Sequence, residues 1–161
     1  MTDYSTAPRH SWAILLGWLL LVGLVATSGA LTSPDEWYNA LDKPPLNPPS
    51  WVFPVVWTGL YLLMAIAAWQ ATLRASNESR FTVLWPFVAQ LAANGLWSFL
   101  FFGLHWIVIA LVDLIMLWGL ILLTIFRFAR VSSIAAWLLV PYLVWVSFAG
   151  YLNAGIAWLN G

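Results

Sequence analysis

Residues 37–57, WYNALDKPPLNPPSWVFPVVW, decide how the rest of this sequence is interpreted. The segment holds five prolines and three tryptophans, and it lies between long apolar stretches. Proline fixes the backbone φ angle near about −65° and lacks an amide donor. The segment is therefore predicted to be a stiff connection, and the elements that it connects must be identified first.

The composition of the chain is that of a membrane protein. Of the 161 residues, 63% are hydrophobic and 7% are charged, whereas about a quarter of the residues in a soluble domain are charged. Six basic residues balance six acidic ones, which leaves no positive field to attract nucleic acid. We therefore expect the lipid bilayer to surround the protein and expect no nucleic-acid partner.

Five stretches are long and apolar enough to cross the hydrocarbon layer, which takes about 20 residues. They are residues 12–31, 51–73, 81–103, 106–126 and 133–158. The sequence predicts an all-α integral membrane bundle of five transmembrane helices, forming one transmembrane domain over residues 1–161. No removable signal peptide is expected, because no small-residue cleavage site follows the first apolar run.

The basic residues predict an orientation. One side of the predicted topology carries Arg9, Arg74, Arg80, Arg127 and Arg130. The other side has only Lys43. Because basic loops stay in the cytoplasm, we expect the N-terminus to be cytoplasmic. We expect the protein to lie in a bacterial cell membrane.

The first connection, residues 32–50, is here called the lid segment. Ser33, Pro34 and Glu36 fit a capping box that begins a short helix, and Pro44 with Pro45 must end it. Two interpretations of the prolines remain open. They either form a rigid lid over a ligand cavity, since a stiff loop loses less entropy on closing, or they only cap the membrane end of the next helix.

Polar and aromatic side chains recur at helical spacing in three of the spans, and these stripes could converge on one interior. They comprise Pro54, Trp57 and Tyr61; Gln90, Asn94, Trp97 and Phe101; and Pro141, Trp145, Ala149 and Leu152. Asp113 lies inside the fourth span, where a carboxylate must face protein or water. For Asn94 and Asp113, interhelical hydrogen bonding is the alternative to a place in a cavity.

An interior lined by indoles suits a flat, apolar aromatic guest, because stacked rings add to the gain from burial. No metal site and no catalytic constellation is expected. The chain has no cysteine, and its two histidines, His10 and His105, are predicted at opposite membrane faces.

Four segments together resemble the TspO/MBR family, also called the translocator protein or tryptophan-rich sensory protein family. They are residues 37–61, residues 90–103 (QLAANGLWSFLFFG), residues 110–114 (ALVDL) and residues 140–153 (VPYLVWVSFAGYLN). The resemblance implies five helices around a cavity beneath the first loop, which binds a porphyrin or haem as ligand, with no obligatory cofactor.

The resemblance also implies which positions bind the ligand. The pocket positions are Phe53, Pro54, Trp57, Asn94, Trp97, Asp113, Trp145, Ala149 and Leu152. The lid and its hinge are Trp37, Tyr38, Asn47 and Trp51. Leu46 departs from the family pattern, which places a tryptophan there, and this departure weakens the expectation of porphyrin photodegradation.

The resemblance implies a homodimer, since members of the family form dimers, and small residues at four-residue spacing support this expectation. Ala89 and Ala93 form a small-xxx-small pattern in the third span, and Gly23 and Thr27 form another in the first. The leading functional hypothesis is a membrane receptor or regulator for a planar tetrapyrrole. A tetrapyrrole transporter, a light- or oxygen-dependent porphyrin-degrading enzyme and a structural scaffold are the alternatives.

Overall fold

The computed structural model describes residues 11–32 and 36–161, all in helices, turns and short connections. The helices are α1 Ser11–Leu31, α2 Glu36–Ala40, α3 Val52–Arg74, α4 Arg80–Ser98, α5 Ile107–Ala129, α6 Ser133–Leu138 and α7 Val140–Asn160. The all-α prediction is confirmed, and α2 is the short helix expected in the lid segment. The predicted cap at Ser33 lies outside the described residues.

Five helical segments are long and apolar enough to cross a membrane, which confirms the predicted number. Each corresponds to one predicted stretch, with ends that differ by three residues or fewer. One short π-helical turn, Phe99–Gly103, extends α4 to the end of the third segment. The fifth segment combines α6 and α7.

The last segment is broken between α6 and α7. Ser132 begins α6 by accepting a hydrogen bond from the Ala135 amide at 3.2 Å. α7 then begins at Val140 with Pro141 in its first turn. Proline has no amide proton to continue a helical ladder and is tolerated in the first turn, so Pro141 explains why a new helix begins here.

The two ends of the bundle differ in their packing. The end that carries the loops with Arg74, Arg80, Arg127 and Arg130 is here called the arginine end, and the opposite end is the lid end. At the arginine end α6 packs along α3, whereas beyond the break α7 makes few contacts with α3. Among the described residues, α3 and α7 therefore leave space between them toward the lid end.

Candidate functional site

A cavity of about 450 Å³ occupies the lid end, between α1, α3, α4 and α7. Its lining comprises Ala26, Gly29, Ala30, Thr32, Tyr38, Ser50, Phe53, Pro54, Trp57, Thr58, Tyr61, Trp97, Ser98, Phe102, Trp145 and Ala149. Seven of these sixteen residues are aromatic and none is charged. The volume is in the range of small-molecule sites, about 300–1,000 Å³.

Seven of the sequence-predicted site residues come together in this lining. They are Tyr38, Phe53, Pro54, Trp57, Trp97, Trp145 and Ala149. Asn94, Asp113 and Leu152 are buried but do not line the cavity. Trp37, Asn47 and Trp51 of the lid segment and its hinge also lie outside the lining.

Aromatic contacts set the shape of the cavity wall. Trp57 stacks on Tyr61 with ring centroids 5.3 Å apart, while Trp145 meets Phe53 edge-on at 6.0 Å. On α4, Trp97 lies 5.8 Å from Phe102 in an edge-on arrangement. Each ring is thus fixed by a neighbouring ring, which leaves flat apolar surfaces facing the hollow.

Hydrogen bonds between helices hold two of the lining side chains. The Trp97 indole donates to Asn153 Oδ1 at 3.0 Å, and the Asn153 amide donates in turn to the Ile107 carbonyl at 3.0 Å. The Tyr61 hydroxyl donates to Asn94 Oδ1 at 2.9 Å. Asn94 therefore makes the interhelical bond that was one of its two predicted roles, and it stands directly behind the cavity wall.

Two polar side chains, Gln90 and Asp113, are buried without a hydrogen-bond partner in the part of the chain that the structure describes. Asp113 is 5% exposed, and both of its carboxyl oxygens are unpaired. Buried polar groups of this kind are commonly satisfied by internal water, so these residues mark a polar region in an otherwise apolar interior.

The lid segment is fastened to the last turns of α7. The Asn160 side chain accepts from the Asp42 amide at 3.0 Å and donates to the Asp42 carbonyl at 2.9 Å. The Tyr151 hydroxyl donates to the Pro45 carbonyl at 2.8 Å. A Cβ added at Gly155 would lie 2.7 Å from Pro44, so only glycine admits this close approach.

Aromatic and polar contacts also hold residues 37–47 of the lid segment. Trp37 stacks on His105 in the turn between α4 and α5, with centroids 3.9 Å apart. The Tyr38 hydroxyl donates to Asn47 Oδ1 at 3.2 Å. Burial raises the pKa of Tyr38, and this outweighs the opposing effect of the Asn47 hydrogen bond. The phenol therefore stays neutral and remains a donor. Trp51 is 67% exposed.

Leu46 does not take part in the cavity wall. Its side chain is 79% exposed, and its backbone φ of 70° is in the left-handed region. That conformation is uncommon for a bulky residue. The position where the family pattern expects a tryptophan thus points away from the hollow in this chain.

Sequence reasoning missed the wall contributed by α1, the ring of Phe102 in the π turn, and four hydroxyl-bearing lining residues, Thr32, Ser50, Thr58 and Ser98. Ala26, Gly29 and Ala30 carry no polar or aromatic signal, so nothing in the sequence distinguished them from lipid-facing residues. Phe102 lines the cavity because the π turn inserts an extra residue. The α-helical period placed Phe101 on that stripe, and Phe101 is instead buried against Trp37 and Tyr38.

The predicted dimer residues differ in accessibility. Ala93 is 4% exposed and belongs to the core of the bundle, whereas Ala89 is half-buried. The outward face of α4 presents Trp85, Val88 and Leu96 instead. A second copy could therefore reach the outer side of α4, but it could not reach Ala93.

Comparison with known proteins places these features in a family. The TspO/MBR family profile matches residues 11–159. The chain is 43% identical to a tryptophan-rich sensory protein of Cereibacter sphaeroides over 150 residues, which cover 92% of each chain. It is 46% identical to tryptophan-rich protein TspO of Chlorobaculum tepidum, over 92% of this chain and 94% of that one.

A vertebrate protein is also similar. The translocator protein of Bos taurus is 37% identical over 147 residues, which cover 88% of this chain and 87% of that one. The region matched by the family profile includes the lid segment and all five transmembrane segments except the last residue of α7. On these similarities, the chain belongs to the TspO/MBR family.

Proposed function

We propose that this protein is a membrane receptor or regulator that binds a planar tetrapyrrole, a porphyrin or haem, in the lid-end cavity. One observation carries the proposal: seven aromatic rings and no charged side chain line a hollow of about 450 Å³. Flat apolar rings gain both burial and stacking energy from such walls. The name of the Cereibacter relative, a sensory protein, agrees with a receptor role.

A fluorescence titration tests the proposal. Purified protein is titrated with protoporphyrin, and quenching of tryptophan emission is followed to saturation. We expect Trp145→Phe and Trp97→Phe to weaken binding about 3- to 10-fold, since a ring pair contributes about 0.5–1.5 kcal/mol and about 1.4 kcal/mol is a factor of ten. Affinities within twofold of the original protein would contradict the proposed site.

A matched control uses the same substitution at an indole outside the cavity. Trp158 is 87% exposed at the end of α7. Trp158→Phe removes one emitting indole without changing the cavity wall, so we expect its protoporphyrin affinity to stay unchanged. A loss equal to that of Trp145→Phe would indicate binding on the outer surface.

Two further measurements distinguish the receptor from its alternatives. Illumination of the complex should leave the porphyrin intact, because Leu46 supplies no second indole near Trp145. Turnover to an open-chain product, lost in Trp145→Phe, would instead identify an enzyme. Flux of porphyrin into proteoliposomes above the leakage into empty vesicles would identify a transporter. The packed arginine end supports instead a site that opens at one end of the bundle only.

The arginine distribution supports an orientation with the arginine end in the cytoplasm of a bacterial cell. Lys43 lies at the lid end, opposite Arg74, Arg80, Arg127 and Arg130. An alkaline phosphatase fused after Gly161 should be active, because that enzyme works only outside the cytoplasm. An inactive phosphatase, together with an active cytoplasmic reporter at the same position, would reverse the orientation.

We also propose a homodimer that uses the outward face of α4. Trp85, Val88 and Leu96 are exposed there and lie on one side of the helix. Leu96→Arg should convert a dimer into monomers in a lipid-containing cross-linking assay, whereas Leu24→Arg on exposed α1 should not. Equal cross-linking of both variants would contradict this interface.

A further inference from the structure

The first helix changes its neighbour along its length. Toward the arginine end α1 is tied to α3, because the Trp18 indole donates to Thr72 Oγ1 at 3.0 Å and the Trp69 indole donates to the Ser11 carbonyl at 2.8 Å. These bonds lie across the seam between the two helices. That seam is therefore closed at the arginine end.

Toward the lid end α1 packs against α4 instead. A Cβ added at Gly95 would lie 3.3 Å from Ser28 Oγ, and one added at Gly29 would lie 3.5 Å from Ser98 Oγ. Beyond α4, one added at Gly103 would lie 3.6 Å from Thr32. The glycines thus allow the last turns of α1 to approach α4 closely.

The seam between α1 and α3 is bordered by small side chains where α1 turns toward α4. Ala26 and Ala30 of α1 and Pro54 and Thr58 of α3 all line the cavity. Ala30, Pro54 and Thr58 are also exposed rather than covered by neighbouring side chains. The Thr58 hydroxyl donates to the Pro54 carbonyl at 2.7 Å, so its proton is satisfied even against lipid.

The lid segment, which borders the cavity at the membrane surface, is held in place by α7. The lid segment is bound to α7 through Asn160, Tyr151 and the contact of Pro44 with Gly155. Lifting the segment would break these contacts together. The seam between α1 and α3 has no equivalent contacts among its cavity-lining residues, so it is the easier side to open.

We infer that the seam between the lid-end halves of α1 and α3 is a lateral portal, through which an apolar planar molecule dissolved in the bilayer reaches the cavity. The inference rests on the proposed function for the nature of the ligand, but the portal itself can be tested without that ligand. Its border is Ala26 and Ala30 on one side and Pro54 and Thr58 on the other.

A labelling experiment tests the portal alone. The chain has no cysteine, so Ala149→Cys places a single thiol on the part of the cavity wall that α7 contributes. In proteoliposomes we expect an apolar maleimide that partitions into the bilayer to label this thiol at least tenfold faster than a charged, membrane-impermeant maleimide. Faster labelling by the charged reagent would overturn the inference, because it would show access from water past the lid segment.

Blocking the portal provides the matched comparison. Ala30→Trp, combined with Ala149→Cys, should slow the apolar labelling at least tenfold, because the indole fills the gap between α1 and α3. Ala13→Trp makes the same change on exposed α1 at the arginine end, and it should leave the rate within twofold. Equal rates in the two tryptophan variants would also overturn the inference.

Binding kinetics then separate the portal from the proposed ligand. With protoporphyrin, Ala30→Trp should slow association at least fivefold, whereas Ala13→Trp should leave the association rate within twofold. Unchanged rates would overturn the portal. Protein that shows portal-dependent labelling but binds no protoporphyrin would refute the proposed function and leave the portal supported.

Discussion

The arginine end and the lid end use the same helices but pack them differently. At the arginine end most interior positions of α3 are alanines, and Ala65, Ala67, Ala68 and Ala71 have no exposed surface. Phe87 lies between Trp18, edge-on at 5.3 Å, and Phe128, stacked at 5.7 Å. At the lid end indoles and phenyl rings surround a hollow.

The difference shows how side-chain size controls helix separation in a membrane. Lipid offers no hydrophobic force between helices, so their association depends on close van der Waals contact, and small residues allow it. Alanines on α3 let α6 approach at the arginine end. Large rings on α3, α4 and α7 hold the backbones apart at the lid end, and the break before Pro141 lets α7 leave α3.

Truncating one aromatic ring at each end should give the largest difference in unfolding free energy between the arginine end and the lid end. Phe87→Ala should destabilise the protein by about 3–5 kcal/mol, because it opens a cavity in a filled core. Trp145→Ala should cost less than half of that, since its ring already borders a hollow. Equilibrium unfolding in mixed micelles of detergent and lipid measures both. Equal costs would contradict the contrast between the two ends.

Enlarging one alanine at each end gives the opposite comparison. Ala65→Leu should destabilise by about 1–3 kcal/mol, because its extra carbons have no space in the packed arginine end. Ala149→Leu adds the same carbons to the cavity, so the unfolding free energy should change little while protoporphyrin binding weakens. A stability loss in Ala149→Leu as large as in Ala65→Leu would show that the lid end is filled.

Substitutions of two glycines compare a position packed against the lid segment, Gly155, with an open position on α3, Gly59. Gly155→Ala should cost about 1–3 kcal/mol or displace the lid segment, because its Cβ would lie 2.7 Å from Pro44. At Gly59 an added Cβ meets nothing within 4 Å, so Gly59→Ala should stabilise α3 by up to about 1 kcal/mol. Hydrogen exchange at residues 41–47 reports displacement, and unchanged exchange with unchanged stability in Gly155→Ala would refute the contact.

The last comparison concerns two indole hydrogen bonds, that of Trp18 at the arginine end and that of Trp97 at the lid end. Trp18→Phe should cost about 0.6 kcal/mol, typical for an interhelical bond in a membrane, because Thr72 keeps its bond to the Ala68 carbonyl. Trp97→Phe should cost about 1–3 kcal/mol, because it leaves buried Asn153 Oδ1 unpaired. Unfolding of the two single variants, measured side by side, tests the order, and a larger cost for Trp18→Phe would reverse it.

Much of the fold could be predicted because hydrocarbon imposes length and apolarity on each crossing segment. The helical period also indicated Trp57, Trp97, Trp145 and Ala149 as one interior set, since tryptophan on a repeating stripe is a visible signal. The break after Leu139 was not predicted, although Pro141 was visible. A proline near a helix start is compatible with either one long helix or two short ones.

The wall formed by α1 could not be predicted at all. Its positions at the cavity are alanine and glycine, which also suit a lipid-facing surface, and their role depends on where α1 leaves α3. That direction is set by contacts distant in sequence, such as Gly95 with Ser28. The outward direction of the Leu46 side chain could not be predicted either, because it follows from a left-handed backbone conformation that leucine does not favour.

The π turn at Phe99–Gly103 contains one residue more than an α-helix would need for the same rise. A single-residue deletion there would restore a regular helix and leave α4 and α5 nearly in place. Chain length at this one turn can thus add or remove an aromatic group on the cavity wall while the scaffold stays intact. The shape of the cavity can therefore change by one residue of insertion or deletion, without compensating changes elsewhere in the bundle.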